Sequence, residues 1–115
     1  MTTIYHNPRC SKSRDTLALL KGKGIDPQVV LYLETPPSAA QIKSLLQQLG
    51  LADARALMRK GEAEYKEHNL ADASLSQDAL IEAMAQHPKL IERPIVVKDG
   101  KAALGRPPEN VLAIL

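Results

Sequence analysis

The most reactive side chain in the sequence is the thiol of Cys10, which lies in the polar segment His-Asn-Pro-Arg-Cys-Ser-Lys-Ser. A helical pattern begins at Ser11, so the thiol is expected where unpaired backbone N–H groups and the helix dipole favour a thiolate. His6, if protonated, together with Arg9 and Arg14 would lower the thiol pKa further. The polar neighbours argue against the alternative of a lone, buried structural cysteine. We therefore predict that Cys10 is a nucleophile.

The chain contains one cysteine, and this count limits its chemistry. A cysteine phosphatase needs an arginine after five intervening residues, but that position holds Thr16, and a dithiol oxidoreductase needs a second cysteine where Ser13 stands. An oxidised or adducted Cys10 must therefore be released by an external thiol such as glutathione or a redoxin. A four-cysteine zinc site is excluded and the histidines lack the spacing of a metal-binding helix, so no metal is predicted.

Length and composition indicate one globular domain. The chain has 115 residues and 12.5 kDa, with 44% hydrophobic and 24% charged residues, and a chain of this mass buries about two thirds of its surface. A net charge of +2 and only three aromatic residues give no basis for nucleic-acid binding. The sequence has neither an apolar run long enough to span a bilayer nor a hydrophobic leader. We therefore expect a cytoplasmic protein that binds no membrane, and the charge balance is compatible with a monomer.

The amino-terminal third predicts a strand, a helix and a second strand. A β-prone segment covers Thr2–Tyr5, a helix runs from Ser11 toward Gly22, and an apolar strand covers Gln28–Leu33. Such an order favours a right-handed unit with parallel strands. The second strand is apolar enough to be expected buried on both faces.

The middle of the chain, at approximately 38–88, predicts a helical insertion covering one side of the sheet. Ser38 and Gln41 have the spacing of a capping box, and Asp53 and Ser76 are expected to cap two further helices. No convincing strand pattern occurs there.

The carboxyl-terminal part predicts a hairpin and a last helix. Strands at 95–97 and 102–104 flank an Asp99-Gly100 turn, and Pro107 precedes an apolar helix. The assembled prediction is an α/β, thioredoxin-like fold, with a four-stranded mixed sheet of βαβ then ββα order and the helical insertion between the two halves. It treats 1–115 as a single domain.

Four ordered segments resemble the active-site loop and three further signatures of the glutaredoxin-coupled arsenate reductases, the ArsC family. They are YHNPRCSKSR at 5–14, RALMR at 55–59, ERPIVV at 92–97 and GRP at 105–107. A fifth similar segment, at 31–37, lies between the first two. Together these segments span nearly the whole chain, so the sequence is identified as a member of that family with a thioredoxin-like fold.

The resemblance implies that the Cys10 thiolate attacks arsenate and that His6 poises the thiol. It also implies an oxyanion site formed by Arg59, Arg93 and Arg106. Guanidinium groups suit this role because they stay charged and donate in a planar fork that matches a tetrahedral anion.

Ser13, with a supporting role at the helix start, is expected to donate a hydrogen bond there, although N-capping explains a serine at that place equally well. The resemblance further implies a supporting role for Pro94, at the position of a cis-proline facing the cysteine. No bound cofactor is implied. Glutathione is the expected co-substrate that forms a mixed adduct, glutaredoxin is the expected partner that removes it, and arsenite is released. Arg55 occupies a signature position to which no role is assigned.

Two alternatives use the same fold. A glutathione-dependent thiol oxidoreductase that removes or exchanges glutathione adducts needs the same thiolate at Cys10. A thioredoxin-fold adaptor resembling the thiol-sensing regulators that bind RNA polymerase is the other, although Ser13 replaces the second cysteine of a disulfide switch. Only a non-redox adaptor of that kind is compatible with the sequence.

Overall fold

A computed structural model describes the whole chain, residues 1–115. The chain forms two compact units, one of residues 1–35 and 93–115 and the other of residues 36–92. The second unit contains the whole of the predicted helical insertion. None of the helices is both long and apolar enough to cross a bilayer.

The first unit is built on a four-stranded mixed sheet in the order β2-β1-β3-β4. The strands are β1 at Thr2–His6, β2 at Gln28–Leu31, β3 at Ile95–Lys98 and β4 at Lys101–Leu104. β1 pairs in parallel with β2 and antiparallel with β3, and β3 pairs antiparallel with β4. The predicted α/β class and the four-stranded mixed sheet are confirmed.

Helix α1, Ser11–Gly22, connects the two parallel strands. Its inner side reaches a core in which Ile4, Leu20, Val96 and Val111 are fully buried. These residues come from β1, α1, β3 and the last helical segment, so burial of one apolar cluster ties both ends of the chain to the helix that begins after Cys10.

The predicted strand at Gln28–Leu33 is shorter and more exposed than expected. It ends at Leu31, whose carbonyl accepts the N–H groups of Glu34 and Thr35 at 2.9 and 2.8 Å in a turn. Val29 is 42% exposed. The expectation of two buried faces was wrong because β2 lies at the edge of the sheet, where an apolar strand is covered incompletely.

The hairpin is confirmed, and the last helix differs in type from the prediction. Asp99 and Gly100 both have left-handed φ angles, +52° and +79°, which suit a two-residue turn. The last segment, Pro108–Ile114, is a 3₁₀ helix. With three residues per turn, Val111 and Ile114 lie on the same side of the helix, and Leu112 is left 39% exposed.

The second unit is helical, as predicted. It contains α2 at Ala39–Leu49, α3 at Ala63–Glu67, α4 at Gln77–Gln86, and 3₁₀ segments at Ala54–Leu57 and Pro88–Leu90. The capping box is present, since Ser38 N–H donates to Gln41 Oε1 at 2.8 Å and Gln41 N–H donates to Ser38 Oγ at 3.2 Å. Ser76 caps α4 by accepting the N–H of Ala79.

Arg55 has a structural role that the sequence did not disclose. Its Nε and Nη2 donate to the carbonyls of Leu70 and Asp72 at 2.8 and 2.6 Å, and its Nη1 lies 3.5 Å from Asp53 Oδ1. Asp53 itself caps the 3₁₀ segment by accepting the Arg55 N–H. The helix predicted after Asp53 is therefore this 3₁₀ segment, which ends at Leu57. The guanidinium therefore fastens the loop after α3 to this segment.

Residues 57–59 and 90–92 pair with each other in the second unit and are called the bridge segments below. Met58 and Ile91 form an antiparallel β-bridge. Arg59 N–H donates to the Leu90 carbonyl at 2.7 Å. This pairing was not predicted, because segments of this length carry no period-two pattern.

Gly105 lies at a close approach in the first unit. A Cβ built at this position would lie 2.8 Å from Pro94 Cγ and closer still to the Thr16 hydroxyl. The Gly105 N–H donates to the Pro94 carbonyl at 3.0 Å. Glycine is therefore required to bring α1, the Pro94 turn and the neighbouring Arg106 together.

We predict that Gly105→Ala lowers the free energy of unfolding by about 1–3 kcal/mol, because the added methyl group overpacks the contact with Thr16 and Pro94. Gly22→Ala is the matched control, since a Cβ there has no neighbour within 4 Å. Urea unfolding of both variants measures the difference. Equal stability of the two variants would show that the contact relaxes without cost.

Candidate active site

The loop before α1 is shaped by Asn7. Its carbonyl accepts the Cys10 N–H at 3.0 Å, and its Oδ1 accepts the Arg9 N–H at 3.0 Å. The Arg14 guanidinium donates to the Pro8 carbonyl at 3.0 Å. These bonds fold residues 7–10 into a compact turn that delivers the thiol to the start of the helix.

Cys10 is the N-cap residue of α1, as predicted. Its backbone is extended, with φ −97° and ψ 124°, and its carbonyl accepts the Arg14 N–H at 3.0 Å. The side chain is partly buried and forms no capping hydrogen bond. The N–H groups of Lys12 and Ser13 in the first helical turn, which lack partners within the helix, face the sulfur.

The Cys10 pKa lies below its ordinary value as the result of opposing influences. Partial burial, the largest single influence, raises the pKa by disfavouring the thiolate. The backbone N–H of Ser13, the positive charge of Arg93, the N–H of Lys12 and the charge of Arg106 all lower it. Together these four groups outweigh the burial, so the site favours the anionic sulfur.

His6 lies buried at the end of β1 and contacts Ser13. Its Nδ1 is 2.6 Å from Ser13 Oγ, and Ser13 is fully buried. The same Oγ accepts the Asn7 N–H at 3.0 Å. Accepting from Asn7 leaves the Ser13 hydroxyl proton available, and we expect it to be donated to Nδ1 of an imidazole that carries its own proton on Nε2.

This environment decides the protonation state of His6, on which its predicted effect on the thiol pKa was conditional. Burial, followed by the positive charges of Arg14 and Lys21, lowers the pKa of His6. The imidazole is therefore neutral at neutral pH and does not lower the Cys10 pKa as a cation. Its contact with the site is the hydrogen bond to Ser13, whose own backbone N–H faces the sulfur.

Arg93 and Arg106 are brought together in the first unit. The Arg106 Nη1 donates to the Arg93 carbonyl at 3.3 Å, and Asn110 Nδ2 donates to the Arg106 carbonyl at 3.1 Å. The Arg93–Pro94 peptide bond is cis, as the family resemblance implied, and Arg106–Pro107 is also cis. Both guanidinium charges act on Cys10, so two of the three predicted arginines share an electrostatic site with the thiol.

Arg59, the third predicted arginine, belongs to the second unit. Its Nη1 lies 2.7 Å from Glu62 Oε1, and its Nε lies 3.9 Å from Glu92 Oε1. A role for Arg59 in oxyanion binding stays a prediction.

A cavity of about 250 Å³ opens beside the cysteine loop. Its lining consists of His6, Asn7, Pro8, Arg9, Leu31, Leu33 and Glu34. A larger groove of about 720 Å³ between α1 and the last 3₁₀ helix contains none of the predicted site residues. No group of three or more His, Cys, Asp or Glu side chains is arranged to hold a metal ion.

The model of the ArsC family matches residues 5–114. This chain belongs to the ArsC family. An arsenate reductase of Neisseria meningitidis serogroup A is 54% identical over 97% of this chain and 96% of its own length. The uncharacterized Escherichia coli protein YfgD is 65% identical over 97% and 94%. The structure of an arsenate reductase from Vibrio cholerae superposes with a TM-score of 0.97 at 65% identity, covering 99% of this chain and 97% of that one.

Three residues around the predicted site of this ArsC protein were missed from sequence. Asn7 shapes the cysteine loop, and an asparagine before a proline is a turn signal that could have indicated it. Glu62 follows Arg59 by three residues, a spacing typical of a local ion pair. Glu92 is brought to Arg59 by the bridge segments, for which the sequence gives no local signal.

The proton arrangement at His6 can be tested by nuclear magnetic resonance titration. We predict that His6 titrates below about 6.5, the value for an unperturbed histidine. Ser13→Ala should raise its pKa, because the neutral imidazole loses a donated hydrogen bond. Ser11→Ala, at an exposed position of the same helical turn, is the control. A fall of the His6 pKa in Ser13→Ala would mean that the imidazole, rather than the hydroxyl, is the donor.

The lowered pKa of His6 also gives a sign for the pH dependence of stability. Because the folded protein favours the neutral imidazole, this contribution is complete above about pH 6.5 and is lost as the pH falls through the folded pKa. We therefore expect a lower melting temperature on the acidic side, with a smaller decrease in His6→Gln. An identical pH profile for the variant would contradict a buried neutral histidine.

Proposed function

We propose that this ArsC protein is an arsenate reductase that uses glutathione and glutaredoxin. The observation that carries the proposal is the lowered pKa of the Cys10 thiol, caused in part by two helix N–H groups and by Arg93 and Arg106. The helix N–H groups and the two arginines make the sulfur a nucleophile, and their positive charge favours the binding of an anion next to it. Arsenate reductases that are at least 50% identical over nearly the whole of this chain support the choice of substrate.

The arginines provide the proposed recognition of the oxyanion. Arg93 and Arg106 can donate from planar forks to a tetrahedral anion, and they neutralise charge as an oxygen leaves. Arg59 is included on the family resemblance. Each guanidinium stays protonated throughout the cycle, so the site keeps its charge while the substrate changes.

In the first proposed step, the Cys10 thiolate attacks arsenic. An S–As bond forms, an As–O bond breaks, and the oxygen leaves as water after taking up protons. The thiolate is a far better nucleophile than the thiol, which is why a lowered pKa matters for this step. Glutathione then condenses with the same arsenic centre and displaces a second water.

Reduction needs two electrons, and this chain has no second cysteine to supply them. In the proposed next step, the glutaredoxin thiolate attacks the glutathione sulfur and forms a mixed disulfide. The bond between the glutathione sulfur and arsenic breaks, and its electron pair passes to arsenic. Arsenic is thereby reduced from As(V) to As(III). Water then replaces Cys10 on arsenic, which releases arsenite and restores the thiol.

The proposal predicts arsenate-dependent consumption of NADPH when the protein is combined with glutathione, glutaredoxin and glutathione reductase. Cys10→Ser should abolish the consumption. A parallel reaction with a glutathione mixed disulfide in place of arsenate tests the thiol-exchange alternative. Turnover of the disulfide alone, or equal rates for the wild type and Cys10→Ser with arsenate, would overturn the proposal.

Replacement of Arg93 or Arg106 by lysine should lower kcat/KM for arsenate by about 10- to 100-fold, because charge is kept while the fork of donors is lost. Arg9→Lys is the matched control, since the Arg9 side chain is exposed and forms no hydrogen bond in the loop. Steady-state assays of the three variants measure the effect. If both site variants match the control, the two arginines are structural.

A further inference from the structure

Arg59 is held by two carboxylates in the second unit. The contact to Glu62 is short, 2.7 Å, whereas that to Glu92 is 3.9 Å. The exposed fractions of the Arg59, Glu62 and Glu92 side chains are 28%, 26% and 25%. At this burial an ion pair is only partly screened by solvent, so it can hold the guanidinium in one arrangement.

The bridge segments fix the backbone on which Arg59 and Glu92 are carried. Met58 and Ile91 pair directly and are buried, with only 4% and 2% of their surfaces exposed. Antiparallel pairing at these residues places Arg59 diagonally opposite Glu92. The weaker ion pair is therefore a consequence of a buried backbone contact.

Glu62 is brought to Arg59 by a different local structure. Its N–H donates to the Arg59 carbonyl at 3.1 Å, which closes a turn, and Glu62 is the N-cap residue of α3. The turn returns the Glu62 carboxylate to the guanidinium of the residue three positions earlier. The local turn therefore places the Glu62 carboxylate next to the Arg59 guanidinium.

We propose that Glu62 is an internal competitor for Arg59: its carboxylate occupies guanidinium N–H groups that an oxyanion must take over. The inference rests on the proposed function, in which Arg59 binds the oxyanion. A carboxylate and a tetrahedral oxyanion use the same donors, so a guanidinium paired with Glu62 is not fully available. The smaller the fraction of molecules in which Arg59 is released from Glu62, the lower is the apparent affinity for the anion.

This competition has a consequence for the reaction. An anion that gains little beyond the Arg59 contact cannot displace Glu62, whereas one that also binds elsewhere can. Once the product leaves, Glu62 returns to the guanidinium without a diffusional step. Glu92, at 3.9 Å, makes a weaker contribution of the same kind.

Direct binding of anions tests the proposal without requiring turnover. Arsenate and sulfate are titrated calorimetrically into the protein in the absence of glutathione. Glu62→Gln should lower the Kd of both anions by about two- to sixfold, the factor that corresponds to a partly exposed ion pair. Glu67→Gln removes the same charge from an exposed position at the end of α3 and should leave the Kd unchanged.

A second arm separates competition from general repulsion. In an Arg59→Gln background, Glu62→Gln should no longer improve binding, because the group for which it competes is missing. An improvement that persists there would mean that Glu62 only repels anions through space, and the proposal would be wrong. Weaker binding by Glu62→Gln alone would show that Glu62 orients Arg59 for the anion, which also overturns competition.

Two measurements separate the competition by Glu62 from the reduction of arsenate. If wild-type protein shows no Cys10-dependent turnover of arsenate, the proposed function fails. The Kd values of the wild type and Glu62→Gln for arsenate and sulfate still test the competition. If turnover is present but Glu62→Gln and Glu67→Gln bind anions equally, the function stands and the competition does not. With both intact, Glu62→Gln should lower the KM for arsenate more than it changes kcat.

Discussion

The site depends on the stabilisation of one negative charge, that of the Cys10 sulfur, at the start of α1. Partial burial opposes this charge, and the helix N–H groups of Ser13 and Lys12 support it together with Arg93 and Arg106. The helix must therefore begin at Ser11, and the loop before it must end with the sulfur facing the first turn. The hydrogen bonds made by Asn7 meet the second requirement, and the buried core cluster holds the helix that meets the first.

The supporting groups come from distant parts of the sequence. Ser13 is fixed by His6 from β1, and Arg106 follows Gly105, whose missing side chain permits the contact with Thr16 and Pro94. A neutral His6 fits this arrangement, because an uncharged imidazole can accept a hydrogen bond from the Ser13 hydroxyl and adds no further cation next to Arg14. Local packing thus determines the electrostatics of the sulfur.

The charge balance around Arg59 in the second unit differs from that around the Cys10 sulfur. There the guanidinium already has carboxylate partners, so its positive charge is partly compensated within the chain. A site that must bind a highly charged substrate and release a less charged product gains from such compensation, since very tight anion binding would slow release. The proposed competition by Glu62 gives this balance a specific residue.

Local signals predicted the features that short-range chemistry decides. The capping residues Ser38 and Ser76, the Asp99-Gly100 turn and the placement of Cys10 at a helix entrance all follow from the preferences of neighbouring residues. The family resemblance, rather than any periodicity, singled out the arginines.

Features decided by tertiary packing were not predictable in the same way. The exposure of β2 depends on its place at the sheet edge, which its apolar composition does not reveal. The charge state of His6 depends on burial and on Arg14 and Lys21, and the ion pair of Arg59 with Glu92 depends on the unforeseen pairing of the bridge segments.

The most direct measurement is the pH dependence of Cys10 alkylation by iodoacetamide, followed together with thiolate absorbance. We expect a midpoint below about 8.5, the value for a free cysteine, and a higher midpoint when Arg106 is replaced by glutamine. A midpoint at or above the free-cysteine value in the wild-type protein would contradict the claim that the fold holds this sulfur as an anion.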